Sequence, residues 1–338
     1  MKRRVSVLAA VMGWIAGVAV LCLATTVVDP LGRVVEVGQP VLRVASTYEP
    51  GTYYLYALGV SDRLVAGWYT ASSGSDSDNE TMRRLESRLP EILGSGDPDA
   101  GELAARGAQL VLADGSRDAE LAADLDELGV PTLLYSVTTP EALVQAMTLT
   151  GCAFGGPTYL RAMQWVLDYR RVLDTAAADA AELGHADRPR VLFLGATSFV
   201  AAGEDAYPTR LVEAAGGVSV SSNLSGAWIP VTLDQVLALD PDVIVLSSTC
   251  ASTVDDLLAS HEWRVARAVA AGRVHKMPRR VAPLDAPVPE SMLGIAWLAS
   301  VLVPSRTTFD LASEAKSFYE GYYGIALSAD DLAAFTGR

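Results

Sequence analysis

The chain is poor in residues that hold metals or act as nucleophiles, with three histidines and three cysteines among 338 residues. His185, His261 and His275 are far apart in sequence, so a three-histidine zinc or manganese site is not expected. No CxxC pair occurs. Cys22 lies in an apolar leader, and Cys152 and Cys250 read as small buried apolar residues that could pair only if the fold brought them together. Several signatures of nucleotide and acyl chemistry are also missing: GxGxxG opening a βα unit, GxxxxGK[ST], GxSxG and HExxH. The 40 carboxylates show no pair that stands out by spacing, so an enzymatic reading has no anchor. Basic charge is short as well. The formal net charge is −14, and so acidic a surface repels phosphate backbones, which argues against a nucleic-acid partner.

What is present describes an exported, two-lobed globular protein. Half of the residues are hydrophobic and 20% are charged, and the length suits two domains. Residues 1–28 open with Lys2, Arg3 and Arg4 and continue without charge, the layout of a signal peptide or an N-terminal membrane anchor. Cleavage after Ala24 would follow the small-x-small run Cys22-Leu23-Ala24, whereas an uncut run is long enough to span a bilayer. Leu21 is too large for the position before a lipoprotein cysteine. Either outcome places the protein outside the cytoplasm, in the periplasm or on the outer face of the membrane.

Apolar runs and turn residues then alternate with strand and helix spacing. Strands are expected at 41–46, 64–69, 109–113 and 131–135, and helices at 51–58, 101–106, 118–128 and 140–150. The pattern returns later with strands at 190–195, 241–247 and 273–277. Helices are expected at 209–215, 233–239, 254–263, 292–302, 311–323 and 328–336. Between these halves, residues 157–184 contain no helix breaker, with Pro157 at the start and Gly184 at the stop, which predicts a rod of roughly 40 Å. The expected fold is α/β: two Rossmann-like lobes with mainly parallel sheets, residues 29–156 and 185–338, joined by one long backbone helix at 157–184. The second lobe ends in a helical tail. The stretches 101–114 and 233–248 echo one another as helix, turn and buried strand.

Aromatic side chains supply the positive signal for a site. Ligands of open α/β sheets bind beyond the carboxyl ends of the strands, and Tyr48, Trp68 and Tyr69 fall there; Trp228 lies in a glycine-rich loop of the other lobe. Flat rings with polar tips suit a large, partly aromatic ligand. Arg279 and Arg280, after the strand at 273–277, could hold an anionic ligand. A solvated surface pair is the plainer reading of these two.

In order and spacing, several segments resemble the cobalamin/iron-siderophore type of substrate-binding protein that serves ABC importers. They are DPLGRVVEV at 29–37, RVASTYEPGTYYLYALG at 43–59, GSGDPDAGELAARGAQLVLA at 94–113, TLDQVLALDPDVIVL at 232–246, WRVARAVAAGRVHKMP at 263–278, DAPVPESMLGIAWLA at 285–299 and FYEGYYGIALSADDL at 318–332. The resemblance implies two α/β lobes on one long helix and a cleft for a small-molecule metal chelate such as a ferric siderophore. It also implies a monomer that docks on an ABC permease in the membrane, with no cofactor of its own. In such proteins one acid on each lobe meets arginine pockets of the permease, and the matching positions here are Glu102 and Asp234. Haem, corrinoids and molybdate or tungstate are alternative ligands within the family. A chelatase-like enzyme on a related scaffold, or a surface receptor without transport, are the readings of other classes.

Overall fold

The computed structural model describes residues 24–67, 85–87, 92, 98–181 and 183–336. Trp68 and Tyr69 lie outside these residues, as does most of the leader. The chain begins with a hairpin in which β1 (Ala24–Val28) pairs antiparallel with β2 (Val34–Gly38). Among the described residues no helix is long and apolar enough to cross a membrane.

The first lobe is built on a four-stranded, wholly parallel sheet in the order β4 (Leu64–Gly67), β3 (Val44–Ser46), β5 (Leu110–Asp114), β6 (Thr132–Tyr135). Its central strands are apolar on both faces because helices cover both. The crossovers are α1 (Glu49–Ala57), α2 (Ala100–Ala105) and α3 (Ala119–Glu127). After β6 comes α4 (Pro140–Phe154), whose Thr139 side chain accepts a hydrogen bond from the Ala142 amide as an N-cap.

The long helix α5 runs over Gly156–Ala180, 25 residues, so it is about 37 Å long and stops four residues short of Gly184. Its buried positions, among them Thr158, Ala162, Trp165, Val166, Tyr169, Val172 and Ala176, recur every three or four residues and form one apolar stripe. Two contacts fix its ends. At Gly151 of α4 an added Cβ would stand 2.5 Å from the Ala162 Cβ, so the two helices cross at a point that only glycine allows. At the far end the Asp179 carboxylate accepts from the Thr308 amide at 3.0 Å and from its hydroxyl at 3.1 Å.

The second lobe repeats the parallel core and adds antiparallel edges that the sequence pattern does not announce. Its sheet runs β10 (Trp228–Pro230), β8 (Val200–Ala202), β7 (Arg190–Leu194), β11 (Val243–Leu246), β12 (Val274–Lys276), and β9 (Val218–Ser219) also pairs with β7. Strands β7, β11 and β12 are parallel, whereas β8 and β10 are antiparallel. The helices are α6 (Tyr207–Ala214), α7 (Leu233–Leu239), α8 (Val254–Ala259), α9 (Arg267–Ala270) and α10 (Ser291–Leu302). The helix expected over 254–263 stops at Ala259, because Ser260 is extended, and a separate short turn carries Trp263.

The tail does not stay with the second lobe. Helix α11 (Leu311–Phe318) passes into a π-turn (Tyr319–Tyr323) that packs on α1, and α12 (Ala329–Thr336) folds back on α11. Arg161 of α5 holds the junction, donating to the carbonyls of Ala57 at 2.6 Å and of Gly321 and Tyr322 at 2.9 Å. Arg171–Glu314 and the Tyr322 hydroxyl on Asp168 extend the seam along the helix. As a result one apolar cluster runs from Leu112 through Trp165 and Tyr169 to Val245 and Leu284, and the tail contributes Phe318, Tyr323 and Phe335. Two smaller clusters lie on the outer faces of the sheets.

Candidate ligand-binding cleft

The parallel strands of both lobes end at a shared cleft of about 980 Å³. Its first-lobe wall comes from Tyr48, just past β3, and from Asp114 and Tyr135, the last residues of β5 and β6. The opposite wall comes from the ends of β7 and β11, the start of α6 and the loop at 283–288.

A stack of phenols forms the floor. The rings of Tyr48 and Tyr135 are parallel within 4° at 5.8 Å, and Tyr54 stands edge-on to both. The Tyr54 hydroxyl donates to the Pro287 carbonyl across the lobes at 3.0 Å. Beneath this floor Tyr207, which lines the cleft, shares hydroxyl contacts of 3.0 and 2.9 Å with the fully buried Tyr169 and Ser291. Burial pushes the pKa of Tyr48, Tyr54, Tyr135 and Tyr207 well above the usual phenol range, and that of Tyr169 up to about 12. Tyr48, Tyr135 and Tyr207, which line the cleft, thus meet it as neutral phenols, not phenolates.

Trp228 forms one side wall. It is 46% exposed, and its ring lies over Gly195, where an added Cβ would come within 2.6 Å of the indole. Glycine at the end of β7 is what lets the ring lie flat against the backbone. The second lobe also places Asp285 in the cleft, 7% exposed, accepting from Ser247 Oγ at 2.5 Å and Ser248 Oγ at 3.0 Å.

Of the residues singled out from sequence, Tyr48 and Trp228 line the cleft. Arg279 and Arg280 are not among its described lining residues. Arg280 instead reaches Asp331 of the tail at 3.6 Å. Arg279 pairs through its backbone with Pro283 and stabilises the charge of buried Glu290. That carboxylate accepts from Tyr319 at 2.5 Å, from Tyr323 at 3.1 Å and from the Ala282 amide, so this corner ties the cleft loop to the tail. The arginines follow a strand end, but the chain turns away from the cleft before they are reached.

Asp114, Tyr135, Tyr207 and Asp285 were missed. The same strand-end rule applies to Asp114 and Tyr135, which terminate β5 and β6. Tyr207 and Asp285 sit in irregular or helix-start positions that no periodicity marks.

On the outer surface, α2 and α7 occupy equivalent places, each leading into a central strand of its sheet, as the sequence echo suggests. Glu102 and Asp234 lie in their first turns, and both are exposed. Glu102 is engaged by Arg106 at 2.8 Å; no ion pair reaches Asp234 among the described residues. Cys152 and Cys250 are both free. Among the described residues no group of three or more His, Cys, Asp or Glu could hold a metal ion.

This arrangement defines an α/β solute-binding class with one cleft between two lobes, and comparison with known proteins places the chain in a family. Residues 44–281 match the model of the periplasmic binding protein family, and the chain belongs to it. A molybdate-binding protein, MolA of Haemophilus influenzae, is 28% identical over 133 residues. The match spans 39% of this chain and 38% of that relative. Among solved structures, a periplasmic solute-binding protein from Veillonella parvula superposes with a TM-score of 0.79 at 22% identity, covering 93% of this chain and 97% of that one. MolA bound to molybdate gives 0.77 at 19% identity, covering 90% and 99%. CeuE of Helicobacter pylori, in a nickel–histidine complex, gives 0.74 at 14%, covering 93% and 99%.

Proposed function

We propose that the protein is the extracytoplasmic solute-binding component of an ABC importer. It captures a metal chelate such as a ferric siderophore in the cleft and delivers it to a membrane permease, acting as a monomer by equilibrium binding rather than turnover. The observation that carries this reading is the shared cleft of about 980 Å³ in a member of the periplasmic binding protein family. That volume lies at the upper end of the range for ligand pockets and suits a bulky organic complex bearing its own metal ligands. The stacked phenols and Trp228 offer ring faces to such a complex. Haem or a corrinoid would use the same rings. A smaller oxyanion is the second reading, favoured by the partial match to a molybdate-binding protein.

The first-turn acids would be the docking contacts. Asp234 is free to enter an arginine pocket of the permease, while Glu102 would have to exchange its Arg106 partner for one. Residues 1–23 would direct export and, if uncut, tether the protein to the membrane.

A thermal-shift panel of ferric siderophores, haem, cobalamin, molybdate and tungstate tests the binding role. A true ligand at a hundredfold excess over its dissociation constant should add about 2.7 kcal/mol of stability. A folded sample indifferent to the whole panel would sink the proposal. Asp234→Arg should abolish uptake in cells while leaving ligand affinity intact, and surviving uptake would remove Asp234 from the docking surface.

A further inference from the structure

The charge of the cleft narrows the ligand beyond its size. Four carboxylates, Glu49, Asp114, Asp205 and Asp285, line it, two from each lobe, and its lining includes no Lys, Arg or His among the described residues. No Lys or Arg forms an ion pair with Asp114, Asp205 or Asp285 among the described residues. Cations close in sequence to the cleft residues are turned elsewhere. Arg117 contacts Asp118 at 2.7 Å and the Thr47 carbonyl at 2.7 Å. Lys276, at the end of β12, donates to the carbonyls of Cys250 and Ser252.

We infer that the cleft selects a cationic metal complex, and that oxyanions and anionic chelates are excluded by its charge. The inference rests on the binding-protein reading and specifies the ligand of that same site. An anion entering between the lobes would face like charge from both walls, whereas a cation would be attracted by both. The aromatic wall adds to this preference. Trp228 offers an exposed indole face beside Gly195, and Tyr48 presents a neutral ring, both suited to a cation. Asp285 is the most enclosed of the four, and its two serine donors fix its orientation while leaving it without a counter-ion.

The test is isothermal titration of the purified protein with cationic ferrioxamine B, neutral ferrichrome, anionic ferric enterobactin and molybdate, at low and high salt. The expected result is tightest binding to ferrioxamine B, weakened as salt rises. Asp114→Asn and Asp205→Asn should each lower that affinity about tenfold, and the ferrichrome affinity should stay within a factor of about two. Neither carboxylate holds a lobe-to-lobe contact, and thermal unfolding of each variant verifies that it folds. Preferential binding of ferric enterobactin or molybdate would overturn the charge assignment and leave the importer reading standing. A folded protein that binds none of the four would overturn the assignment together with that reading.

Discussion

Glu290 is completely buried, and desolvation pushes its carboxyl up to about 7 from an ordinary 4.5, although Tyr319, the Ala282 amide, Tyr323 and Arg279 all favour the charged form. The folded state therefore holds the proton more tightly than the unfolded chain does. The stability this contributes is fully present below pH 4.5 and is lost as pH rises through about 7. Its full size is about 3 kcal/mol. Glu290→Gln carries no such titration, so the variant should gain on the wild type by about this amount between acidic and mildly alkaline pH. Urea unfolding of both proteins across that range measures it, and a difference that stays constant with pH would show that the carboxyl is not raised. Sequence gives little notice of this residue. The segment at 285–299 marks a family resemblance, but nothing in it tells that Glu290 receives two tyrosine hydroxyls from a tail some 30 positions away. The position of Tyr48 on the cleft could be read from a strand end, which is a local feature; that Arg279 lies off the cleft lining could not, because local pattern does not show which way the chain turns next.

At the scale of elements, the crossing of α4 and α5 depends on the 2.5 Å gap that Gly151 leaves for Ala162. Gly151→Ala should gain up to about 1 kcal/mol in helix propensity but lose about 1–3 kcal/mol to overpacking, for a net loss. Ala162→Gly in the same molecule should relieve the clash. Thermal unfolding of the single and double variants checks this, and an unchanged or raised midpoint for Gly151→Ala would show that the helices can separate cheaply. Both helices were visible in sequence because their periodicity is long and uninterrupted. The edge strands β8 and β10 were not. They have three residues each, and their pairing is set by the neighbour they meet rather than by any alternation of their own.

For the whole molecule, the decisive fact is that a single apolar cluster passes from one sheet through α5 to the other. Wide opening would expose that cluster at roughly 25 cal/mol per Å². The Tyr54–Pro287 bond and the Arg161 junction also bridge separate elements at the hinge. Closure around ligand should therefore be small. Solution scattering of the free and ligand-saturated protein should show radii of gyration that agree within about 1 Å. A larger contraction would mean that the two lobes are separable bodies.

The tail gives the molecule a direction in time. Phe318, Tyr319, Tyr322, Tyr323 and Phe335 follow both sheets in chain order, yet they belong to the same inner core as residues of both. Arg161 and Glu290 likewise wait for partners at 319–322, made well after them. The inner core cannot close on a growing chain until residues 318–335 have been made.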